Sequence, residues 1–399
     1  MTRKENGEEV ARLSAASEVE ERLSGTPPRL LPVHDYFVLP ALSLLTVVAM
    51  FGAAEIGARL AWPAVDQGYC MYFDPIEGPH AKPNCTTVLK IPEGERVTLT
   101  FNNCGYRSKT PCGPKAPDTI RVAMLGSSVA EGYAIAYEKT MATQMAEALK
   151  ASCARKIDVQ NLAVEGCPPI YSYRHVDEAL KLKPDAIVMP LNPWDIEQDV
   201  DARLLNMRVG RQPINRMPEP AIKLNATQLV QKWLQGSRTA LVAQHYMLKN
   251  RDAFLKLYVF AGGDHTAFVR CPFTPAWEKR FEMTDLLLGE MAAKIHAAGV
   301  PFLVVGVPER AQVLMLDDHD LPKGADAYAF TRRLARIAAK HGILYLDALR
   351  SFSETRDRED LFYVVNGHPT ARAQRIMGQA TARELIAAKL PGFSSCQRQ

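Results

Sequence analysis

The stretch Ile120-Arg-Val-Ala-Met-Leu125-Gly126-Ser127-Ser128 decides how this chain is interpreted. Its first six residues are a mostly apolar run of strand length, and such a run bounded by small residues is typical of a buried strand. The Gly-Ser-Ser turn that follows predicts a hydroxyl lifted out of the sheet at its carboxyl edge. Because ligands bind at that edge in open α/β sheets, Ser128 is the first candidate functional residue.

Apolar runs that predict strands recur along the chain after Ser128. They cover residues 157–164, 185–191, 301–307 and 343–347. Segments with apolar residues three or four positions apart predict the intervening helices, at residues 140–153, 173–182, 280–298 and 328–340, with a last helix after Pro369. Parallel strands need crossover connections, so the alternation predicts an α/β fold, a three-layer α/β/α sandwich with a mostly parallel five-stranded sheet.

The amino-terminal third divides into a tail, an apolar segment and a loop-rich lead-in. Residues 1–35 predict a solvated tail, and residues 36–54 are 19 consecutive uncharged residues. As a helix they span about 28 Å, close to the bilayer core of about 30 Å. We therefore predict a transmembrane anchor at 36–61, with a buried core helix and a cleaved signal sequence as alternatives.

Residues 62–119 are rich in Pro, Gly, Asn and Cys and predict a loop-rich lead-in containing a strand or two. The main domain is expected at 120–391. Within it, residues 196–278 have mixed polarity and predict a helical insertion, which either covers a site or is structural padding.

Charge and cysteine content limit the possible partners and compartments. The net charge of +4 comes from 48 basic and 44 acidic residues and gives no reason to expect nucleic acid as a partner. All eight cysteines follow the apolar segment, which favours an oxidising compartment, although ordinary buried thiols remain an alternative. We expect a single-pass protein of the cytoplasmic (inner) membrane with its carboxyl-terminal domain on the extracytoplasmic, periplasmic side.

Nucleotide and metal motifs are weak in this sequence. Gly126 and Gly132 do not form a Gly-x-Gly-x-x-Gly pattern, and no Gly-Lys-Ser/Thr follows. Neither His-Glu-x-x-His nor Cys-x-x-Cys occurs, and Asp317-Asp-His-Asp320 is interpreted as a solvated loop. No cofactor and no metal are expected.

A base for Ser128 is available in Asn366-Gly367-His368-Pro369, a turn just before the last predicted helix. In a doubly wound sheet this turn lies on the same edge as Ser128 despite the long separation in sequence. A serine beside a histidine is the arrangement needed for a nucleophile activated by a general base.

The sequence resembles the SGNH/GDSL hydrolase superfamily, in particular its membrane-anchored bacterial members, over about residues 96–390. The resemblance rests on the order and spacing of the motifs rather than on any single motif. The motifs are Asn103-Cys-Gly105-Tyr-Arg107, Leu125-Gly126-Ser127-Ser128, Asn161-Leu-Ala-Val-Glu-Gly166, Lys183-Pro184-Asp185, Val307-Pro308-Glu-Arg-Ala-Gln-Val313 and Asn366-Gly367-His368.

The resemblance implies a role for each matched residue. Ser128 would be the nucleophile and His368 its general base, oriented by Asn366. The backbone amides of Ser128 and Gly166 would bind the oxyanion, with the side chain of Asn192 as a third donor.

Three positions depart from the family pattern. Ser127 replaces an Asp, Trp194 occupies the spacing expected for the oxyanion Asn, and Asn366 replaces the carboxylate that orients the histidine. Asp347, after the last predicted strand, is a candidate replacement charge or a cap of the next turn. Glu309 and Arg310 are candidates for substrate contact or for helix capping.

The function expected from these motifs is an O-acyl esterase acting on an acylated envelope glycan or a small ester. The alternatives are an acyltransferase and a catalytically silent binding module of the same fold, both in modification of envelope polysaccharide.

Overall fold

The computed structural model describes residues 32, 34–65, 70–74, 78–201, 236–317 and 320–397. Almost all of the predicted tail at 1–35, and residues 202–235 of the predicted insertion, lie outside the described residues. The chain divides into two compact units, Met1–Gly57 and Ala58–Gln399.

The first described helix, α1 (Asp35–Ala61), contains the apolar segment. None of its residues is buried, and the mean hydropathy of its most apolar window is 2.2. Its 27 residues extend for about 40 Å, more than the bilayer core of about 30 Å. By length and composition α1 is able to cross a membrane once.

The described part of the lead-in contains two small hairpins. They are β1 (Met71–Asp74) with β2 (Gly78–Ala81), and β3 (Thr86–Lys90) with β4 (Arg96–Thr100), each pair antiparallel. In β4 exposed and buried residues alternate, which places Val97 and Leu99 in a small separate core. A disulfide between Cys70 and Cys85 closes this region.

The main sheet has five parallel strands, which confirms the predicted fold class. Its strands are β5 (Thr119–Met124), β6 (Lys156–Asn161), β7 (Ala186–Leu191), β8 (Phe302–Gly306) and β9 (Leu344–Asp347). Their order across the sheet is β6-β5-β7-β8-β9. Every residue of β5, β7 and β8 is buried, as expected for central strands covered on both faces.

Helices alternate with these strands. They are α2 (Ser128–Glu131), α3 (Met141–Ser152), α4 (Pro169–Arg174), α5 (Val176–Lys181), α6 (Pro193–Asp201), α7 (Arg238–Lys249), α8 (Arg251–Ala253), α9 (Pro275–Ala297), α10 (Arg310–Met315), α11 (Ala329–Lys340), α12 (Ala348–Ser353) and α13 (Ala371–Ala387). A π-helical segment, Phe254–Phe260, continues α8. Helix α3 packs on α13, and α9 packs on α6 and α11.

Two local predictions were wrong. The single helix expected at 173–182 is two short helices, α4 and α5, which meet at His175. The strand expected at 157–164 ends at Asn161. In both places apolar residues continue in the sequence past the end of the helix or strand, because the residues that follow are buried in the same core.

Six of the eight cysteines form disulfides. Besides Cys70–Cys85, the pairs are Cys104–Cys112 and Cys153–Cys396. The last pair joins the end of α3 to the carboxyl-terminal segment across 243 residues of sequence. Cys167 is a buried thiol and Cys271 is an exposed one.

Candidate active site

Ser128 lies at the start of α2, directly beyond the carboxyl end of β5. The chain turns out of the sheet at Gly126, whose φ is +136°. A Cβ at this position would lie 2.8 Å from the Cβ of Ala130 and 3.3 Å from the carbonyl oxygen of Pro190. Only glycine suits this turn, because it needs both a positive φ and a close approach to β7. The turn therefore presents Ser128 at the sheet edge, as predicted.

His368 lies in the loop that leads into α13. The backbone N–H of Tyr363 donates to the carbonyl oxygen of His368 (3.0 Å), and the N–H of Gly367 donates to the carbonyl oxygen of Tyr363 (3.0 Å). Gly367 has a φ of +78°, a conformation that favours glycine. These contacts fix the loop, and the Tyr133 ring packs against the imidazole with 4.7 Å between ring centroids.

A continuous chain of hydrogen bonds joins three of the predicted site residues. The Oγ of Ser128 lies 2.8 Å from Nε2 of His368, and Nδ1 of His368 lies 2.8 Å from Oδ1 of Asn366. Since an amide oxygen only accepts, His368 carries its proton on Nδ1 and leaves Nε2 to accept from the serine hydroxyl. The arrangement has the geometry of a nucleophile, a base and an orienting group.

A carboxylate from the lead-in holds the loop that carries Asn366. The side chain of Glu93, which is 3% exposed, accepts from the N–H of Val365 (3.1 Å) and from the N–H of Asn366 (2.8 Å). It also contacts Nδ1 of His245 on α7 at 2.6 Å. The turn between β3 and β4 thus reaches the site and fixes its orienting residue.

A cavity of about 240 Å³ opens beside Ser128 and His368. Its lining includes each residue predicted to bind the oxyanion, namely Ser128, Gly166 and Asn192. Gly166 has a φ of +69°, and a Cβ there would meet no atom within 4 Å, so its backbone faces open space. The N–H of Ser128 belongs to the first turn of α2 and has no helical acceptor.

Asn192 and Trp194 both line the cavity, and Asn192 is the one that carries a side-chain amide. Oδ1 of Asn192 accepts from the N–H of Asp195 (2.9 Å), and the Asp195 carboxylate accepts in return from the N–H of Asn192 (3.1 Å). This reciprocal cap begins α6 and leaves the NH₂ group of Asn192 as its available donor. The Trp194 side chain is half-exposed and packs edge-on against His265.

Burial shifts the ionisation of several groups around the cavity. It lowers the pKa of His368 to about 4, so the imidazole is neutral at pH 7 and able to accept a proton. Burial raises the pKa of Asp195 to about 6. Burial, together with the charges of Asp195 and Glu197, raises the pKa of Glu309 to about 8. The Glu309 side chain in the cavity wall is therefore a neutral carboxylic acid at pH 7.

Arg107 lies behind the nucleophile turn and supports it. Its guanidinium donates to the carbonyl oxygens of Glu131 (2.8 Å) and Gly132 (2.6 Å), and to that of Ile135. The first two are the carbonyls at the end of α2, so Arg107 fixes the segment that carries Ser128. Burial raises the pKa of the Glu131 carboxyl to about 7, and the charge of Arg107 opposes that rise.

The remaining predicted candidates have structural contacts. Asp347 accepts from the N–H of Leu349 (3.0 Å) and caps α12, the second of its two predicted roles. Glu309 forms a capping box with Gln312 at the start of α10 and also lines the cavity.

Arg310 donates to the carbonyl oxygen of Leu248 (2.9 Å) and lies over the ring of Phe254. Asp317 pairs with Arg358, while Asp318 and His319 of the acidic tetrad lie outside the described residues.

Glu93, Tyr133 and Asp195 belong to the site but were not predicted as its members. Glu93 occurs in Pro92-Glu93-Gly94-Glu95, which has the composition of an ordinary polar hairpin turn. Only the tertiary contact distinguishes it from Glu95. Asp195 had a local signal, since Asn192-Pro-Trp-Asp195 has the spacing of a helix cap.

No family model matches this sequence, and no curated protein matches it. Solved structures similar to the chain include a lipolytic protein of the G-D-S-L family from Desulfitobacterium hafniense, at 13% identity and a TM-score of 0.36, covering 66% of this chain and 98% of that one. A lipase from a goat rumen metagenome is 12% identical with a TM-score of 0.39, covering 68% of this chain and 98% of that one.

An acetyl-xylooligosaccharide esterase from Geobacillus is also 12% identical with a TM-score of 0.39, covering 67% of this chain and 94% of that one. Each of these three similar structures covers about two thirds of this chain.

Proposed function

We propose that this protein is a serine esterase or acyltransferase that cleaves an O-acyl ester. The observation that carries the proposal is the hydrogen-bonded chain from the Ser128 hydroxyl through His368 to Asn366, at the wall of an open cavity. A half-buried serine that is hydrogen-bonded to a neutral histidine beside a cavity is the arrangement that nucleophilic catalysis requires.

In the first half of the reaction, Nε2 of His368 takes the hydroxyl proton while Oγ of Ser128 attacks the ester carbonyl. The carbonyl oxygen becomes an oxyanion, which the N–H groups of Ser128 and Gly166 and the NH₂ group of Asn192 would stabilise. His368 then returns the proton to the departing alcohol oxygen. The C–O bond breaks and leaves an acyl ester on Ser128.

In the second half, water or another hydroxyl enters the emptied cavity and gives its proton to His368 as it attacks the acyl carbon. Collapse of the second tetrahedral intermediate returns that proton to Oγ of Ser128. Water yields a free acid, whereas a sugar hydroxyl yields a transferred ester. The same residues therefore serve hydrolysis and transfer, and the acceptor decides between them.

We take α1 as a single-pass anchor at the cytoplasmic membrane and place the carboxyl-terminal domain outside the cytoplasm. The length and hydropathy of α1 support the anchor, and three disulfides after it support an oxidising compartment. An acylated envelope glycan is a substrate that this location would supply. A small ester should react as a surrogate.

The test uses the full chain in detergent with a serine-reactive phosphonate. The proposal predicts one adduct, on the peptide that contains Ser128, and hydrolysis of an aryl acetate that Ser128→Ala abolishes. Ser394→Ala removes an exposed serine far along the chain and should behave like the parent. An adduct on another residue, or full activity in Ser128→Ala, would overturn the proposal.

A binding module without catalysis is the second candidate, and Asn366 is the observation that favours it. An amide provides no negative charge to stabilise the imidazolium that forms during turnover. A module would show no adduct and no hydrolysis in the parent but measurable binding of an acylated polysaccharide.

A further inference from the structure

Two histidines and a glutamate converge at a place well separated in sequence from the Ser128 turn. Nε2 of His80 lies 3.7 Å from a carboxylate oxygen of Glu178, and the ring centroids of His80 and His175 are 4.5 Å apart. One ligand atom from each of the three residues lies within 4.8 Å of the other two. His175 is buried, and the other two are partly exposed.

The donor set suits zinc. Two imidazole nitrogens with one carboxylate oxygen are three of the ligands that Zn²⁺ takes in tetrahedral sites, with water in the fourth position. Zinc bonds of about 2.1 Å place ligand atoms about 3.4 Å apart in a tetrahedron. The present separations, all within 4.8 Å, exceed that by at most about 1.4 Å, so side-chain rotations would bring the three atoms to a bound ion.

Neighbouring groups already orient two of the three ligands. Nδ1 of His80 lies 3.1 Å from the carbonyl oxygen of Gly78, an acceptor that keeps the proton on Nδ1 and leaves Nε2 to face Glu178. The hydroxyl of Tyr106 donates to the other oxygen of Glu178 at 2.7 Å. Backbone carbonyls behind histidines, and hydrogen bonds to coordinating carboxylates, are the usual outer contacts of zinc ligands.

The three residues come from two separate parts of the fold. His80 is on β2 of the lead-in, while His175 and Glu178 are at the junction of α4 and α5. These parts are already in close contact, since a Cβ on Gly78 would lie 2.2 Å from the Tyr171 ring on α4. An ion held here would link the β1–β2 hairpin to the main domain.

We propose that His80, His175 and Glu178 bind one zinc ion, which fastens the β1–β2 hairpin to helices α4 and α5. Binding is independent of the reaction at Ser128. It adds stability because a metal that binds the folded chain more tightly than the unfolded one shifts the folding equilibrium.

The test is zinc titration of the full chain, purified in detergent without a histidine tag and stripped with a chelator. Calorimetry should give one zinc ion per chain, and zinc should raise the melting temperature. His80→Gln and Glu178→Gln should each weaken binding at least 100-fold. Tyr106→Phe, which removes only the outer hydrogen bond, should weaken it about 10- to 100-fold.

Two controls separate this site from general effects. His296→Gln changes an exposed histidine on α9 and should bind zinc like the parent, and so should Ser128→Ala, whatever happens to catalysis. A parent chain that binds no zinc would overturn the proposal. So would parental affinity in both His80→Gln and Glu178→Gln.

Discussion

Asn366 orients His368, the proposed base, but adds no charge to it. Its Oδ1 accepts from Nδ1 of His368 at 2.8 Å, so the imidazole is held in the orientation that a carboxylate would give. With no negative charge beside the ring, burial lowers the pKa of His368 to about 4. The proposed base is thus oriented but weak.

Replacing Asn366 with Asp should strengthen the base. A carboxylate beside Nδ1 favours the imidazolium, so Asn366→Asp should raise the pKa of His368 and raise kcat about tenfold or more. The acid limb of kcat/KM against pH should lie near pH 4 in the parent and move upward in the variant. Asn250→Asp, which keeps an N-cap at α8, is the matched control. An acid limb that stays in place would contradict the role given to Asn366.

Glu309 should make stability depend on pH. Its pKa is about 8 in the folded chain against the ordinary glutamate value of 4.5, so the folded chain holds the proton more tightly than the unfolded chain does. The stabilisation of the folded chain by this proton is complete below pH 4.5 and is lost as the pH rises toward 8.

Glu309→Gln should therefore match the parent near pH 4.5 and exceed its free energy of unfolding above pH 8, by at least about 1 kcal/mol. Denaturant unfolding at both pH values measures this. Glu290→Gln, on the exposed side of α9, should show no such divergence, and a parent as stable as Glu309→Gln at high pH would refute the burial argument.

At the level of elements, the β3–β4 hairpin supports the loop that carries Asn366 and His368. Glu93 in its turn accepts from two backbone N–H groups, those of Val365 and Asn366, and hydrogen bonds to a charged acceptor contribute about 1.5–3 kcal/mol each. In the proposed reaction, a loop held this way keeps Asn366 against His368.

Glu93→Ala should lower kcat at least tenfold with a smaller change in KM, because the loop would lose its anchor while the cavity wall stays in place. Glu93→Gln retains one acceptor, so its kcat should lie between those of the parent and Glu93→Ala. Glu95→Ala, in the same turn but exposed, is the matched control. Equal kcat for Glu93→Ala and Glu95→Ala would show that the hairpin does not support the loop.

The central strands β5, β7 and β8 were predictable because their residues are buried on both faces and so form mostly apolar runs. The positions of Ser128 and His368 at one edge of the sheet were predictable for a different reason, since each stands in a glycine turn next to a predicted element. Glu93 was not, because its role depends on a hairpin packed against a loop about 270 residues later in the sequence. The break between α4 and α5 was missed since both short helices bury apolar residues and continue the periodic pattern.

Across the whole molecule, the proposed envelope substrate requires the carboxyl-terminal domain to lie outside the cytoplasm. Reporters fused before Tyr36 and after Gln399 should therefore give opposite signals, cytoplasmic for the first and extracytoplasmic for the second. A cytoplasmic signal from the carboxyl-terminal fusion would contradict the envelope substrate. It would also leave the three disulfides in a reducing compartment, where they would not persist.

The most direct test of a nucleophile at Ser128 is the mass of the full chain after exposure to a serine-reactive phosphonate. We predict one adduct per chain, on Ser128. The adduct should be lost in Ser128→Ala, strongly slowed in His368→Ala, and formed at the parental rate in Ser394→Ala. A parent chain that forms no adduct, or one that labels equally fast without His368, would contradict a nucleophile activated by that histidine.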